Sequence, residues 1–170
     1  LKDHRVEFKV EDSSSAALFI DDERCDARLH LPEVSEAASV TSRHLAVREA
    51  LLELQRNAFP GQNIVAEGRD MGTVVFPASP VKFFVQAAQQ VRIERRLSQL
   101  QKELGVCNDE TLNSLKKQIE IEIIERDDRD SKRPISPTKP APDAIVIDNS
   151  SQTLTQVVQN MYDAVLKRLG

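Results

Sequence analysis

Tryptophan is absent from this 170-residue chain, tyrosine occurs once, at Tyr162, and aromatic residues make up only 4%. No RRM-like aromatic motif stands among them, which counts against RNA stacked on a sheet face. Positive charge is not in excess either. The net charge is −4, so no global field draws the chain to nucleic acid or an anionic membrane, and any basic site must be local. No apolar run approaches the roughly 18 residues of a membrane span, and the opening "LKDHRVEFKV" lacks a signal-peptide core. The two cysteines, Cys25 and Cys107, show neither CxxC nor histidine spacing and read as reduced thiols of a cytoplasmic protein. His4, His30 and His44 form no metal-ligand spacing, and no G-x-S-x-G nucleophile elbow occurs.

With 40% hydrophobic and 29% charged residues, the chain can bury one core of single-domain size with a small appendage. It opens on Leu1 rather than methionine, which reads as a fragment or a processed product. Residues 5–29 predict antiparallel β structure: "VEFKV" with Val6, Phe8 and Val10 inward, "EDSSS" as a turn, "AALFI", and a third strand ending near Leu29. A short helix over "PEVSEAASV" follows. Thr41 or Ser42 then caps a helix over "RHLAVREALLELQRNAF", with Val47, Leu51, Leu54 and Ala58 on one face. Beyond the "PG" at 60–61, "NIVAE" and "VKFFV" read as strands on either side of "GRDMG" and "TVVF". A helix from about Ala87 to Leu104, with Ile93, Leu97, Leu100 and Leu104 on one face, stops at Gly105, and Asn108 or Asp109 caps a long helix behind it. The proline-rich "PISPTKPAP" reads as a stiff connector, "DAIVID" as the last strand, and Leu154, Val158, Met161, Val165 and Leu169 as the apolar stripe of a closing helix. Strand–helix alternation through 62–170 predicts a parallel α/β sheet flanked by helices, with the β segment as a small antiparallel insert beside it.

The long helix ends in "EIIERDDRDSKRP". One stripe, followed at steps of three and four, runs Leu112, Leu115, Ile119, Ile123, Arg126, Asp130 and Arg133, turning from apolar to polar without changing heading. Glu122→Arg126, Glu125→Arg129 and Asp128→Lys132 are the i,i+4 pairs of an ordinary solvated helix end. Core-facing Arg126, Asp130 and Arg133 fit that picture less well, because unpaired buried charge is costly. Two guanidiniums around one carboxylate suit a ligand with phosphate and hydroxyl groups. In "GRDMG", Gly68 and Gly72 bracket Arg69 and Asp70 behind a predicted strand. That is either a plain turn with a surface ion pair or a close backbone approach to a ligand at the carboxyl end of a sheet. "RIERRL" sets Arg92 and Arg96 one turn apart with Arg95 further round: a solvated basic face, a phosphate clamp or a nucleic-acid contact.

Taken in order, "AEGRDMGTVVFPASPVKFFV", "RIERRLSQL", "ERDDRDSKR" and "DAIVIDNS" before a helix resemble the bacterial cytidylate kinases. These are P-loop nucleoside-monophosphate kinases that move a phosphoryl group from ATP to CMP or dCMP. "ARLHLPEVSEAAS" and "VREALLELQR" resemble the stretch just upstream, and the likeness is looser over 1–24. The resemblance implies a CMP-side region over 1–61, the rest of the α/β core over 62–170, and a lid over about 92–133 that closes on ATP. It also implies Mg²⁺ brought with the ATP donor, and a cytoplasmic monomer. Carried over by residue, Ser39 and Arg48 would meet the cytosine, and Asp70 would read its exocyclic amine. Arg69 would hold the CMP phosphate, Arg126 and Asp130 the sugar hydroxyls, and Arg133 would sit near base and phosphate. Arg69, Arg126 and Arg133 are thus the implied catalytic residues, and Arg92, Arg95 and Arg96 lie on the ATP side where the lid begins. Phosphoryl transfer asks for in-line positioning, neutralised charge and excluded water, which such a set can supply. A carboxylate accepts from the cytosine amine, and a site built to bond that group discriminates strongly against a base lacking it.

The chain departs from the pattern in one respect. Such kinases use G-x-x-x-x-G-K-[ST] to cradle the donor phosphates. The glycines here are Gly61, Gly68, Gly72, Gly105 and Gly170, and none is followed by Lys-Ser or Lys-Thr. In the family the loop lies upstream of the region matching Leu1, together with a strand and a helix. The expectation is a chain cut from a longer protein, or completed by another chain. It would turn over little alone and would have an unpaired sheet edge through which copies could associate. Two rivals stand beside a kinase: a catalytically inactive nucleotide-binding or regulatory domain, and an RNA-binding module using the arginine clusters. The acidic balance weighs against the second rival.

Overall fold

A computed structural model describes residues 4–10, 16–29, 31–42, 44–105, 108–132 and 136–170. The chain divides into two compact units, Leu1–Glu67 and Gly68–Gly170.

In the first unit, β1 (Val6–Val10), β2 (Ala16–Ile20) and β3 (Glu23–Arg24) form an antiparallel sheet in that order. The predicted "EDSSS" turn at 11–15 lies outside the described residues. The next turn is two residues long. Asp21 and Asp22 both take positive φ, 50° and 69°, as a tight hairpin between twisted strands requires, and aspartate tolerates that region. The Asp21 carboxylate accepts from the Arg5 amide at 2.8 Å and lies 2.5 Å from His4 Nδ1, while Arg5 pairs with Asp22.

The third strand is shorter than predicted. Asp26 captures the Leu18 amide and Arg24 Nε, both at 2.7 Å, and bends the chain into a 3₁₀ turn at Asp26–Arg28. Ala17 is buried and Phe8 packs on Phe59 with ring centroids 5.6 Å apart, whereas Val10, predicted inward, is 51% exposed. The helices α1 (Pro32–Thr41) and α2 (Leu45–Arg56) follow, with Pro32 in the first turn where its missing N–H costs nothing. Neither predicted cap serves α2. The Thr41 hydroxyl donates back to the Ala37 carbonyl at 2.8 Å, Ser42 closes α1, and His44 stands at the α2 N-terminus without a side-chain cap bond. Val47, Leu51, Leu54 and Ala58 are half-buried together, as their spacing predicts. Residues 63–67 do not form the predicted strand, and Ile64 and Val65 are 43% and 103% exposed. A strand exists only as a pairing, and among the described residues nothing pairs with this one.

The second unit begins with "GRDMG" and a π-helical turn at Met71–Val75, then runs β4 (Phe83–Gln86), α3 (Gln89–Leu104), α4 (Asp109–Ser131), β5 (Ile145–Asp148) and α5 (Leu154–Leu169). The strands β4 and β5 are parallel, Phe83 opposite Ile145, and α3 and α4 make the crossover that a parallel pair requires. The predicted parallel α/β order is therefore present in this unit. Gly105 ends α3 at φ 63°, and Asn108 caps α4 by accepting from the Glu110 amide at 2.8 Å. Ile93 and Ile119 are each 1% exposed, and Val75, Ala141, Ile147 and Val157 are also buried.

One expectation fails in part, and one buried charge interrupts an apolar run. In α5 the buried residue is Val157, with Met161, Ala164 and Val165 half-buried beside it, while Leu154, Val158 and Leu169 are 81%, 55% and 62% exposed. The packed face keeps Met161 and Val165 of the predicted stripe but turns towards Val157 and Ala164 and away from Leu154, Val158 and Leu169. In "VKFFV", Lys82 is a buried charge, 9% exposed. Its ammonium donates to the Pro77 carbonyl at 2.6 Å and to both Asp143 oxygens at 2.9 and 2.7 Å.

Candidate functional site

The "GRDMG" turn is wound tightly. The Asp70 carbonyl accepts from the Thr73, Val74 and Val75 amides at 3.3, 2.9 and 3.2 Å, and Met71 accepts from Phe76 at 2.7 Å, one residue further than in an α-helix. Its glycines lie close against the protein's own side chains. A Cβ on Gly68 would lie 2.7 Å from Met71 Cε, and one on Gly72 would lie 3.2 Å from Lys82 Cδ. A larger residue at either position would press on Met71 or on the Lys82 stem.

This turn and the end of α4 meet at Asp130. The Asp130 side chain is 6% exposed, and its Oδ2 lies 3.5 Å from a terminal nitrogen of Arg69 and 3.9 Å from Arg126 Nε. The Asp130 carbonyl accepts from the Thr138 amide at 2.9 Å, which fixes the last turn of α4. The stripe from Ile119 through Ile123 to Asp130 therefore keeps its inward heading, while the Arg126 side chain on the same helix is 65% open to solvent. Loss of solvation, then the neighbouring Arg69 charge, pull the Arg126 guanidinium below its usual value, and Asp130 and Asp127 oppose that. Asp70 is half-buried beside Arg69.

Of the three predicted surface pairs on α4, Asp128–Lys132 forms at 2.6 Å. Glu122 instead accepts from Gln118 at 3.0 Å, and Arg129 Nε donates to the Glu125 carbonyl at 3.2 Å. The three arginines of "RIERRL" have different fates. Arg92 reaches across to α4 and clasps Asp127 with two bonds, 2.9 and 2.5 Å. The hydrogen bonding raises Arg92 above its usual value and lowers Asp127 below its own. Arg95 donates to the Asn149 side chain at 2.9 Å and to its carbonyl at 2.7 Å, just past β5. Arg96 stays on α3 and donates to Gln99 at 2.9 Å.

Asp127, Asn149 and Lys82 were not singled out in the sequence. Asp127 had a signal: it follows Ile123 by one helical step of four. A hollow of about 350 Å³ lined by Arg95, Asn149, Gln152, Leu154 and Val157 opens beside that contact. A larger one, about 580 Å³, runs along α3, and neither includes Arg69, Arg126 or Asp130. Ser39 lies on α1 with its side chain outside the described part, Arg48 lies on α2, and Arg133 falls outside the described residues. Ser39 and Arg48 belong to the first unit; Arg69, Asp70, Arg126 and Asp130 belong to the second. Among the described residues no group of three or more His, Cys, Asp or Glu side chains could hold a metal ion. No helix among them is long and apolar enough to cross a membrane.

The second unit is thus of the parallel α/β class, with two guanidiniums, from the residue pair before its first helical turn and from the end of α4, around one buried carboxylate. The comparisons narrow that class. The family described as Cytidylate kinase matches residues 2–167. A cytidylate kinase of Thermotoga neapolitana is 37% identical over 169 residues, covering 99% of this chain and 71% of the relative. Those of Enterobacter sp. (strain 638) and Shewanella baltica (strain OS155) are each 40% identical, over 90% and 94% of this chain and 64% and 66% of their own length. The chain belongs to the cytidylate kinase family.

Proposed function

We propose that these residues form the acceptor side and lid of an enzyme that transfers the γ-phosphoryl group of ATP to CMP or dCMP. The observation that carries the proposal is Asp130, a buried carboxylate shared by Arg69 and Arg126 from segments far apart in the chain. Arg69 takes the monophosphate as a planar, permanently charged fork. Asp130 and Arg126 take the ribose hydroxyls, and Arg126, largely open to solvent, has reach to spare for the phosphates. Asp70 accepts from the cytosine amine. Ser39 and Arg48 complete the reading of the base, Arg133 stands by base and phosphate, and residues of about 92–133, beginning at Arg92, Arg95 and Arg96, act as the lid. The chemistry needs no covalent partner. The attacking phosphate oxygen is held in line, and the arginines balance charge as it spreads over the transferred group. Magnesium, when present, comes bound to ATP and neutralises its phosphates; no residue described here is assigned to it.

The 170 residues contain no G-x-x-x-x-G-K-[ST]. The donor cradle is therefore not assigned to any residue of this chain, and the same observation keeps open a second function, binding of CMP without turnover. Ligand affinity is the fitting test of both. In calorimetric titrations with CMP and UMP, Asp70→Ala is expected to erode the preference for CMP, and Arg69→Ala to weaken both nucleotides alike. An unchanged CMP/UMP ratio in Asp70→Ala would defeat the base-reading role.

A further inference from the structure

We infer that the Arg92–Asp127 ion pair is a positioning clasp: Asp127 sets the affinity of the Arg69–Arg126–Asp130 cluster through the placing of α4, without itself meeting the ligand. The inference rests on the nucleotide reading above. The pair joins residues 35 apart in sequence, near the start of α3 and the end of α4. It therefore closes the open end of a helical hairpin whose other end is the 105–108 connection. Both carboxylate oxygens meet both terminal guanidinium nitrogens, at 2.9 and 2.5 Å, the fork geometry that fixes direction as well as distance. The Arg92 Nε is buried with no partner, so the side chain is held where one of its donors goes unsatisfied. Asp127 adjoins Arg126 and lies three residues before Asp130, all within about one helical turn. A small rotation of that turn moves all three side chains together relative to Arg69.

The sign of the effect separates positioning from plain electrostatics. Asp127 is a negative charge close enough to Arg69 and Arg126 to interact with both. If it acted only through its charge, removing that charge would strengthen binding of a phosphate-bearing ligand. If it acts by holding α4, removing it weakens binding. Arg92→Lys gives a second contrast, because the charge is kept and the fork is lost.

The test is a CMP titration of the full chain and its variants. Asp127→Asn and Arg92→Lys are each expected to bind CMP about tenfold more weakly, the scale of coupling between contacting residues. The exchanged pair, Arg92→Asp with Asp127→Arg, is expected to recover most of that loss. Tighter binding in Asp127→Asn with no change in Arg92→Lys would overturn the inference. Hydrogen exchange over residues 126–132 gives a readout without nucleotide. The single variants are expected to exchange faster there and the exchanged pair to be slow again. Unchanged exchange in the single variants overturns the clasp whatever CMP does. If the variants show these exchange changes while the wild-type chain binds no CMP, the nucleotide reading is defeated and the clasp stands. If Asp127→Asn does not fold, Arg92→Lys and the exchanged pair carry both measurements.

Discussion

Replacing Lys82 separates two things its side chain does. Its ammonium is fully used, with one carbonyl and two carboxylate oxygens within 2.9 Å, and its stem packs against Gly72 in the turn that carries Arg69. Lys82→Met keeps most of the stem and deletes the charge. Pro77 and Asp143 both lie at the surface and regain water, while the cost of burying an ammonium disappears. Replacing a buried ion by an apolar group of similar shape is often close to neutral, so a loss within about 1 kcal/mol is expected. Lys82→Ala deletes about three buried methylene-sized groups as well, at roughly 0.8 kcal/mol each plus a cavity, and is expected to cost about 2–3 kcal/mol. In a unit of about 100 residues that corresponds to a fall in Tm of roughly 10–20 °C. Asp143→Ala leaves the ammonium buried with one carbonyl and should be more harmful than Lys82→Met, although both delete the same ion pair. Urea unfolding followed by far-UV circular dichroism measures all three. If Lys82→Met costs as much as Lys82→Ala, the ion pair rather than the stem holds the turn, and the reasoning fails.

Two further predictions concern stability. Thr153→Ala removes the capping box of α5, in which the Gln156 amide donates to Thr153 Oγ1 at 3.3 Å and the Thr153 amide to Gln156 Oε1 at 2.8 Å; the expected loss is about 1 kcal/mol, read from the same urea curves. Asp127 is held below its ordinary value first by its hydrogen bonds from Arg92, and Asp21, Asp143 and Asp148 are lowered too, first by hydrogen bonds from His4, Lys82 and Ser150 respectively. Such carboxylates bind a proton more weakly folded than unfolded, so their contribution is complete above about pH 4 and is lost as pH falls through the lower folded values. Tm measured between about pH 5 and about pH 2 should therefore fall less steeply in Asp127→Asn than in the wild type, and equal slopes would remove Asp127 from that set.

Much of the second unit was legible because its signals are local. Gly105 and Asn108 mark the ends of α3 and α4 by chemistry that acts within a few residues, and Ile119 and Asp130 follow from helical period alone. What the sequence hid depends on partners. Residues 63–67 have the composition of a buried strand, yet a strand needs a neighbour, and Ile64 and Val65 are exposed. Lys82 breaks the strand alternation because Asp143, 61 residues away, neutralises it. In α5 two stripes of similar hydrophobicity compete, and contact with the rest of the unit selects the one through Val157 over the one through Val158. Within the site, Asp130 was legible from its own helix. The Arg92–Asp127 pair was not, since nothing in either segment says that the start of α3 faces the end of α4.

The first experiment on the proposed acceptor site is a calorimetric titration of this chain with CMP, UMP and AMP. The arrangement of Asp130 with Arg69 and Arg126, and the proposed base-reading role of Asp70, predict binding of CMP in clear preference to the other two. A folded chain that binds none of the three, or binds all three alike, would contradict it.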